Sequence, residues 1–83
     1  MYDVIVSNVA KKQLDKMDFI AVKRITSKLL QLENNPRPSG YIKLKGKNGY
    51  RIRIGDYRVL YEINDKSKEV IIYKIAHRKE SYT

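Results

Sequence analysis

Apolar positions follow two rhythms along this chain. Up to about residue 33 they recur at helical spacing; from residue 41 onward they alternate or gather in short runs. A helix repeats a face about every 3.6 residues and a strand every second residue, so the chain divides into a helical half and a strand half. Ahead of the helices, residues 2–7 (Tyr-Asp-Val-Ile-Val-Ser) read as a short strand. Ser7 or Asn8 can cap a helix running to about Lys16, with Ala10, Leu14 and Met17 on its apolar side and Val9, Gln13 and Lys16 on another. Asp18 can cap a second helix reaching Glu33 or Asn34. Its Val22, Ile25, Leu29 and Leu32 form one buried stripe, while Lys23, Arg24 and Lys28 point to solvent.

The run Asn34-Asn35-Pro36-Arg37-Pro38-Ser39-Gly40 breaks regular structure and separates the two halves within one domain, residues 1–83. Strand-like segments follow near 41–45, 50–54, 57–63 and 69–76. Turn residues stand between them at Asn48-Gly49, Gly55-Asp56 and 64–68. Short connections imply antiparallel neighbours. The expected fold class is therefore α+β, with two N-terminal helices packed on one face of a curved, mainly antiparallel sheet in the order β-α-α-β-β-β-β. The last strand, Val70 to Ile75, is apolar in both phases, which predicts a central position.

Gly55-Asp56 fixes one register. Glycine at the first position of a two-residue loop favours a type II′ hairpin. Ile54 then faces Tyr57, Arg53 faces Arg58, Ile52 faces Val59 and Arg51 faces Leu60. One face carries Ile52, Ile54, Tyr57, Val59 and Tyr61 and belongs against the helices. The other carries Arg51, Arg53, Arg58, Leu60 and Glu62. Like charges directly opposite one another cost stability. A bound phosphate or carboxylate removes that conflict, because arginine matches either with two parallel hydrogen bonds. A tight turn at Asn48-Gly49 would instead send Lys43 and Lys45 to the core face, so a bulge or longer loop is expected there.

Charge strengthens the anion-binding reading. Eighteen basic and nine acidic residues give a net charge of +9 on 83 residues. Such an excess seeks a polyanion, with nucleic acid first and an acidic protein second. Between Lys43 and Arg58 stand six basic residues and one acid, Asp56, and six of the seven tyrosines follow residue 40. Basic groups interleaved with aromatics suit phosphate binding and base stacking. The chain has no cysteine, which accords with a reducing cytoplasm and excludes disulfides and thiolate metal sites. No membrane span or signal peptide is read from it.

The tail gathers Ala76-His77-Arg78-Lys79-Glu80-Ser81-Tyr82-Thr83 at the end of the central strand. His77, the only histidine, can carry a proton, and nearby arginines would favour its neutral form. Tyr82 can stack on a base.

Taken together, Lys43-Leu44-Lys45-Gly46, the run from Tyr50 through Gly55-Asp56-Tyr57-Arg58 to Tyr61, and His77-Arg78-Lys79-Glu80-Ser81-Tyr82 resemble the RelE/ParE toxin superfamily. The resemblance covers the whole chain. It implies a RelE-like toxin of a type II toxin–antitoxin pair that enters the ribosomal A site and cleaves mRNA there. The ribose 2′-hydroxyl attacks, a 2′,3′-cyclic phosphate results, and neither metal nor cofactor is required. By the same resemblance Arg58, Arg78, His77 and Tyr82 are catalytic, with Glu62 and Glu80 as further acid–base candidates. Arg51, Arg53, Lys43 and Lys45 hold the RNA. The implied partners are an acidic, RelB-like antitoxin, the ribosome and mRNA. The alternatives are a ParE-like toxin that poisons DNA gyrase and a non-catalytic RNA-binding module.

Overall fold

A computed structural model of the chain describes residues 1–45 and 48–78. The order is β1 (Asp3–Val6), α1 (Asn8–Asp15), α2 (Phe19–Gln31), β2 (Ile42–Lys43), β3 (Gly49–Ile54), β4 (Tyr57–Asn64) and β5 (Glu69–His77). Both helices begin where capping chemistry puts them. The Ser7 side chain accepts from the Ala10 N–H at 3.2 Å, and the Asp18 carboxylate accepts from the Ala21 N–H at 2.8 Å. Each satisfies a donor that the first helical turn leaves without a partner.

The five strands form one mixed sheet in the order β1-β5-β4-β3-β2. β5 is an interior strand with a neighbour on each side, in keeping with its two-sided apolar sequence, although β4 holds the middle place. β1 lies parallel to it, and the other pairings are antiparallel. β1 reaches only as far as Ile72, so the N–H of Ile75 lies beyond its ladder. The Gln13 side-chain oxygen on α1 accepts that N–H at 2.6 Å. Gln13 was expected away from the core; it terminates the sheet edge instead.

Both helices cover the same sheet face. Ala10, Ile25, Leu29 and Leu32 join Ile52, Val59, Tyr61, Val70, Ile72 and Ile75 in one buried cluster. Leu14, Met17, Ile54 and Tyr57 pack at its margin. The helical stripe and the inner hairpin face are therefore those read from the sequence. Val22, at the edge of the stripe, is half-buried.

The register of β3 on β4 is also the expected one, pair for pair from Ile54↔Tyr57 to Arg51↔Leu60. Gly55 has φ +58°, and Asp56 is absent from the residues of positive φ, which fits a type II′ turn. β2 is shorter than expected, pairing only Ile42 with Arg51 and Lys43 with Tyr50. A longer loop leads from it to Gly49, with the Leu44 N–H donating to the Gly49 carbonyl at 2.9 Å.

One irregularity matters for the site. Leu60 pairs with Lys74 but Tyr61 pairs with Ile72, so Tyr73 is an extra residue in β5. The bulge keeps Ile72 and Ile75 both on the buried face although they are three residues apart.

Candidate anion-binding face

The sheet face opposite the helices gathers cations from three strands. β3 supplies Arg51 and Arg53, β4 supplies Arg58, and β5 supplies Lys74. Directly paired residues share a face. One row across the sheet therefore runs Ile42, Arg51, Leu60 and Lys74, and the next runs Arg53, Arg58 and Ala76. Neighbouring strands lie about 4.8 Å apart, and alternate residues of one strand about 7 Å apart. The four cations thus occupy a patch small enough for a few nucleotides of one strand. Arg53 and Lys74 are exposed; Arg51 and Arg58 are half-buried.

Lys74 has no place in the sequence reading. Its face depends on the bulge at Tyr73, and a strand apolar in both phases gives no signal for either.

Arg78 joins the same end of the sheet. Its backbone N–H donates to the Asp56 carbonyl at 2.6 Å, one step beyond the Tyr57↔His77 pair. That bond ties the start of the tail to the hairpin turn. Glu62, the acid expected on this face, is exposed there opposite Gly49. Tyr73 also reaches this face, because a Cβ built on Gly49 would stand 2.8 Å from the Tyr73 hydroxyl. Burial, and then the nearby Glu62 carboxylate, raise the Tyr73 phenol above its ordinary range.

Other candidate residues lie elsewhere. His77 pairs with Tyr57 on the helix-facing side, their rings edge to face at 5.1 Å. It lines a cleft of about 330 Å³ with Asp18, Arg24 and Asp56. The expectation that His77 sits among the arginines is therefore corrected. Alternation turns its ring to the opposite face from Arg58, although the two residues belong to adjacent strands. Lys43, opposite Tyr50, belongs by register to the helix-facing side at the sheet edge, and Lys45 is exposed in the turn beyond it. Tyr82 and Glu80 lie outside the described residues.

The tyrosines are spent largely on packing rather than on an open stacking surface. Tyr61 is fully buried, and its hydroxyl donates to the Pro36 carbonyl at 2.8 Å. Burial pushes its phenol up to about 12. Its ring stacks on Tyr50 at 5.8 Å, and Tyr50 in turn meets Tyr41 at 5.9 Å. Arg37 lies over Tyr50 at 5.3 Å and pairs with Asp65 at 3.0 Å. The Tyr2 hydroxyl donates to the same Asp65 at 2.6 Å. Hydrogen bonds from Arg37 and then Tyr2 hold the Asp65 carboxyl below its ordinary range. This network fastens the 34–40 loop to the far end of the sheet, away from the hairpin arginines.

Comparison with known proteins places this geometry in context. A family model described as the ParE toxin of the type II toxin–antitoxin system parDE matches residues 4–82. No curated protein sequence matches. Among solved structures, the archaeal RelE–RelB complex from Pyrococcus horikoshii contains a chain 34% identical to this one. The match covers 93% of this chain and 94% of that one, with a TM-score of 0.85. A RelBE toxin–antitoxin complex from Mycobacterium tuberculosis matches at 25% identity over 93% of this chain and 98% of that chain, with a TM-score of 0.84. The RelB–RelE antitoxin–toxin complex from Methanococcus jannaschii matches at 29% identity over 94% of each chain, with a TM-score of 0.75.

Proposed function

Since this chain belongs to the RelE/ParE toxin superfamily and is a toxin of the type II toxin–antitoxin class, we propose that it acts in the cytoplasm as a ribosome-dependent mRNA endonuclease. The observation that carries the reading is the opposition of Arg53 and Arg58 on a sheet face that also holds Arg51 and Lys74. Like charges set directly opposite each other cost stability, and a phosphodiester backbone offers cations on such a face charge-assisted contacts.

The chemistry follows from that face. A ribose 2′-oxygen attacks the adjacent phosphorus as its proton leaves. The bond to the 5′-oxygen breaks, that oxygen takes up a proton, and a 2′,3′-cyclic phosphate remains. Negative charge grows on the phosphoryl oxygens during the attack. Fixed cations stabilise it without reorganising. Arg58 and Arg78, at the hairpin end of the sheet, are the proposed transition-state partners. Arg51, Arg53 and Lys74 hold the flanking backbone, with Lys43 and Lys45 as outer phosphate contacts. Tyr82 is the proposed stacking residue, on the resemblance alone. His77 has its ring against Tyr57 on the helix-facing side, so the proton transfer is not assigned to it. No metal or cofactor takes part in the proposed steps.

The proposed partners are the ribosome, mRNA and an acidic antitoxin. The similar structures from Pyrococcus horikoshii, Mycobacterium tuberculosis and Methanococcus jannaschii are toxin–antitoxin complexes. That supports an antitoxin here, and a face of exposed cations suits an acidic one.

One observation favours a second reading. The matching family model is that of ParE toxins, so poisoning of DNA gyrase is the competing activity. The experiment that separates them supplies the purified protein with programmed ribosomes in one reaction and with gyrase and supercoiled DNA in another. Cleaved mRNA and intact DNA support the endonuclease. Gyrase-dependent DNA breaks without mRNA cleavage support the ParE reading.

A further inference from the structure

The bulge in β5 sets two consecutive side chains on one face. In a regular strand Tyr73 and Lys74 would point to opposite faces. Here Ile72 and Ile75, on either side of them, are both buried against the helices. The extra residue between the Tyr61↔Ile72 and Leu60↔Lys74 pairs sends Tyr73 and Lys74 together to the face that holds the arginines. The Tyr73 side chain then lies along that face. A Cβ on Gly49 would stand 2.8 Å from its hydroxyl and 3.7 Å from the ring carbon that bears it. Gly49 belongs to β3, two strand spacings of about 4.8 Å away from β5. A ring standing away from the sheet cannot reach it, so the side chain crosses β4 near Glu62, the residue paired with Gly49. Gly49 has no side chain to block that approach.

The other tyrosines of the sheet serve the helix-facing side. Tyr50 and Tyr57 pack against the core, and Tyr61 lies within it. Tyr61 is fully buried, whereas Tyr73 is half-buried. Among the described residues Tyr73 is the aromatic ring that borders the cationic patch. Lys74 follows it in the chain, and Arg51 is two residues along β3 from Gly49, about 7 Å. A phosphate held by either cation leaves its attached base beside the ring.

We propose that Tyr73 is a nucleobase-stacking subsite: an unpaired base of the bound RNA strand lies on its ring while Arg51 and Lys74 hold the neighbouring phosphates. Every base has a π face, so the subsite takes any unpaired base and rejects a paired one. The identity of the ligand rests on the reading of this face as an RNA-binding surface. Stacking on Tyr73 does not depend on cleavage and is separate from the stacking assigned to Tyr82.

The test uses the full-length protein and single-stranded RNAs short enough to bind in one register. One base at a time is removed, leaving an abasic sugar and the same phosphates. With wild type, removal of the base at one position is expected to weaken binding by about 5- to 100-fold. Tyr73→Leu keeps an apolar side chain; it is expected to bind the complete RNA that much more weakly and to show no penalty at that position. Tyr73→Phe keeps the ring and is expected to retain both the affinity and the penalty. A ring that only packs the sheet would weaken every RNA alike when removed, abasic or not. In wild type itself, the NMR signals of the Tyr73 ring are expected to shift with the complete strand and not with the strand abasic at that position. The same abasic penalties in wild type and folded Tyr73→Leu, or Tyr73 ring signals unmoved by the complete strand, would overturn the proposal. If the Tyr73-dependent penalty is found but wild type cuts no mRNA on programmed ribosomes, the subsite stands and the endonuclease reading falls. If wild type cuts mRNA and Tyr73→Leu keeps every penalty, the subsite falls alone.

Discussion

Arg53 stands directly opposite Arg58 across the β3–β4 hairpin, both on the sheet face away from the helices. Removing one of two opposed charges relieves repulsion. Arg53→Ala is therefore expected to leave stability unchanged or raise it by about 0.2–1 kcal/mol. The same change is expected to weaken binding of a short single-stranded RNA by about tenfold, the loss of a charge-assisted contact. Urea unfolding and fluorescence anisotropy read the two effects separately. An Arg53→Ala protein that fails to fold would make this a structural arginine.

RNA binding is expected to respond to salt as a few phosphate contacts require. Three or four cations on the face give a slope of log affinity against log salt of about −2 to −3 for a single strand. A flat response between low and physiological salt would contradict phosphate recognition.

Gln13 is expected to matter more than a polar helix residue ordinarily does. Its side chain accepts the Ile75 N–H that β1 does not reach. Gln13→Ala leaves that part-buried donor without its acceptor and is expected to cost about 1–3 kcal/mol in urea unfolding. Gln13→Glu keeps an acceptor and is expected to lose less. An Ala variant as stable as wild type would show that water replaces the bond at no cost.

Tyr61 gives the fold an alkaline limit. Burial raises its phenol to about 12, against about 10 in the unfolded chain. The folded state therefore holds a proton that the unfolded state has released. Its contribution is fully present below pH of about 10 and declines as pH rises to about 12. The difference in stability between wild type and Tyr61→Phe, measured across that window, is expected to shrink with rising pH. A constant difference would mean that the hydroxyl does not titrate as a buried group.

The parts that could be read from sequence are the local ones. Two-residue turn geometry set the pairing from Ile54↔Tyr57 to Arg51↔Leu60, because no other register fits Gly55-Asp56. Helical spacing identified Ile25, Leu29 and Leu32 as core, and capping chemistry identified Ser7 and Asp18 as helix starts. What escaped depended on distant segments. The parallel seat of β1 on β5 joins the two ends of the chain. The extra residue Tyr73 leaves no mark in an apolar run, yet it decides that Lys74 lies with Arg51 and His77 with Tyr57. His77 was expected near the arginines because it adjoins Arg78 in sequence, and strand alternation separates neighbours to opposite faces. Tyrosines interleaved with cations suggested base stacking, but Tyr50 and Tyr61 are anchored by Arg37 and Pro36, residues of a loop whose destination no local rule fixes.

The most direct measurement is mRNA cleavage on programmed ribosomes by wild type and by a folded Arg58→Ala variant. Wild type is expected to cut within the A-site codon and leave a 2′,3′-cyclic phosphate, and Arg58→Ala is expected to bind RNA more weakly and not to cut. Cleavage by Arg58→Ala at the wild-type rate, or no cleavage by wild type, would contradict a catalytic role for the arginine face.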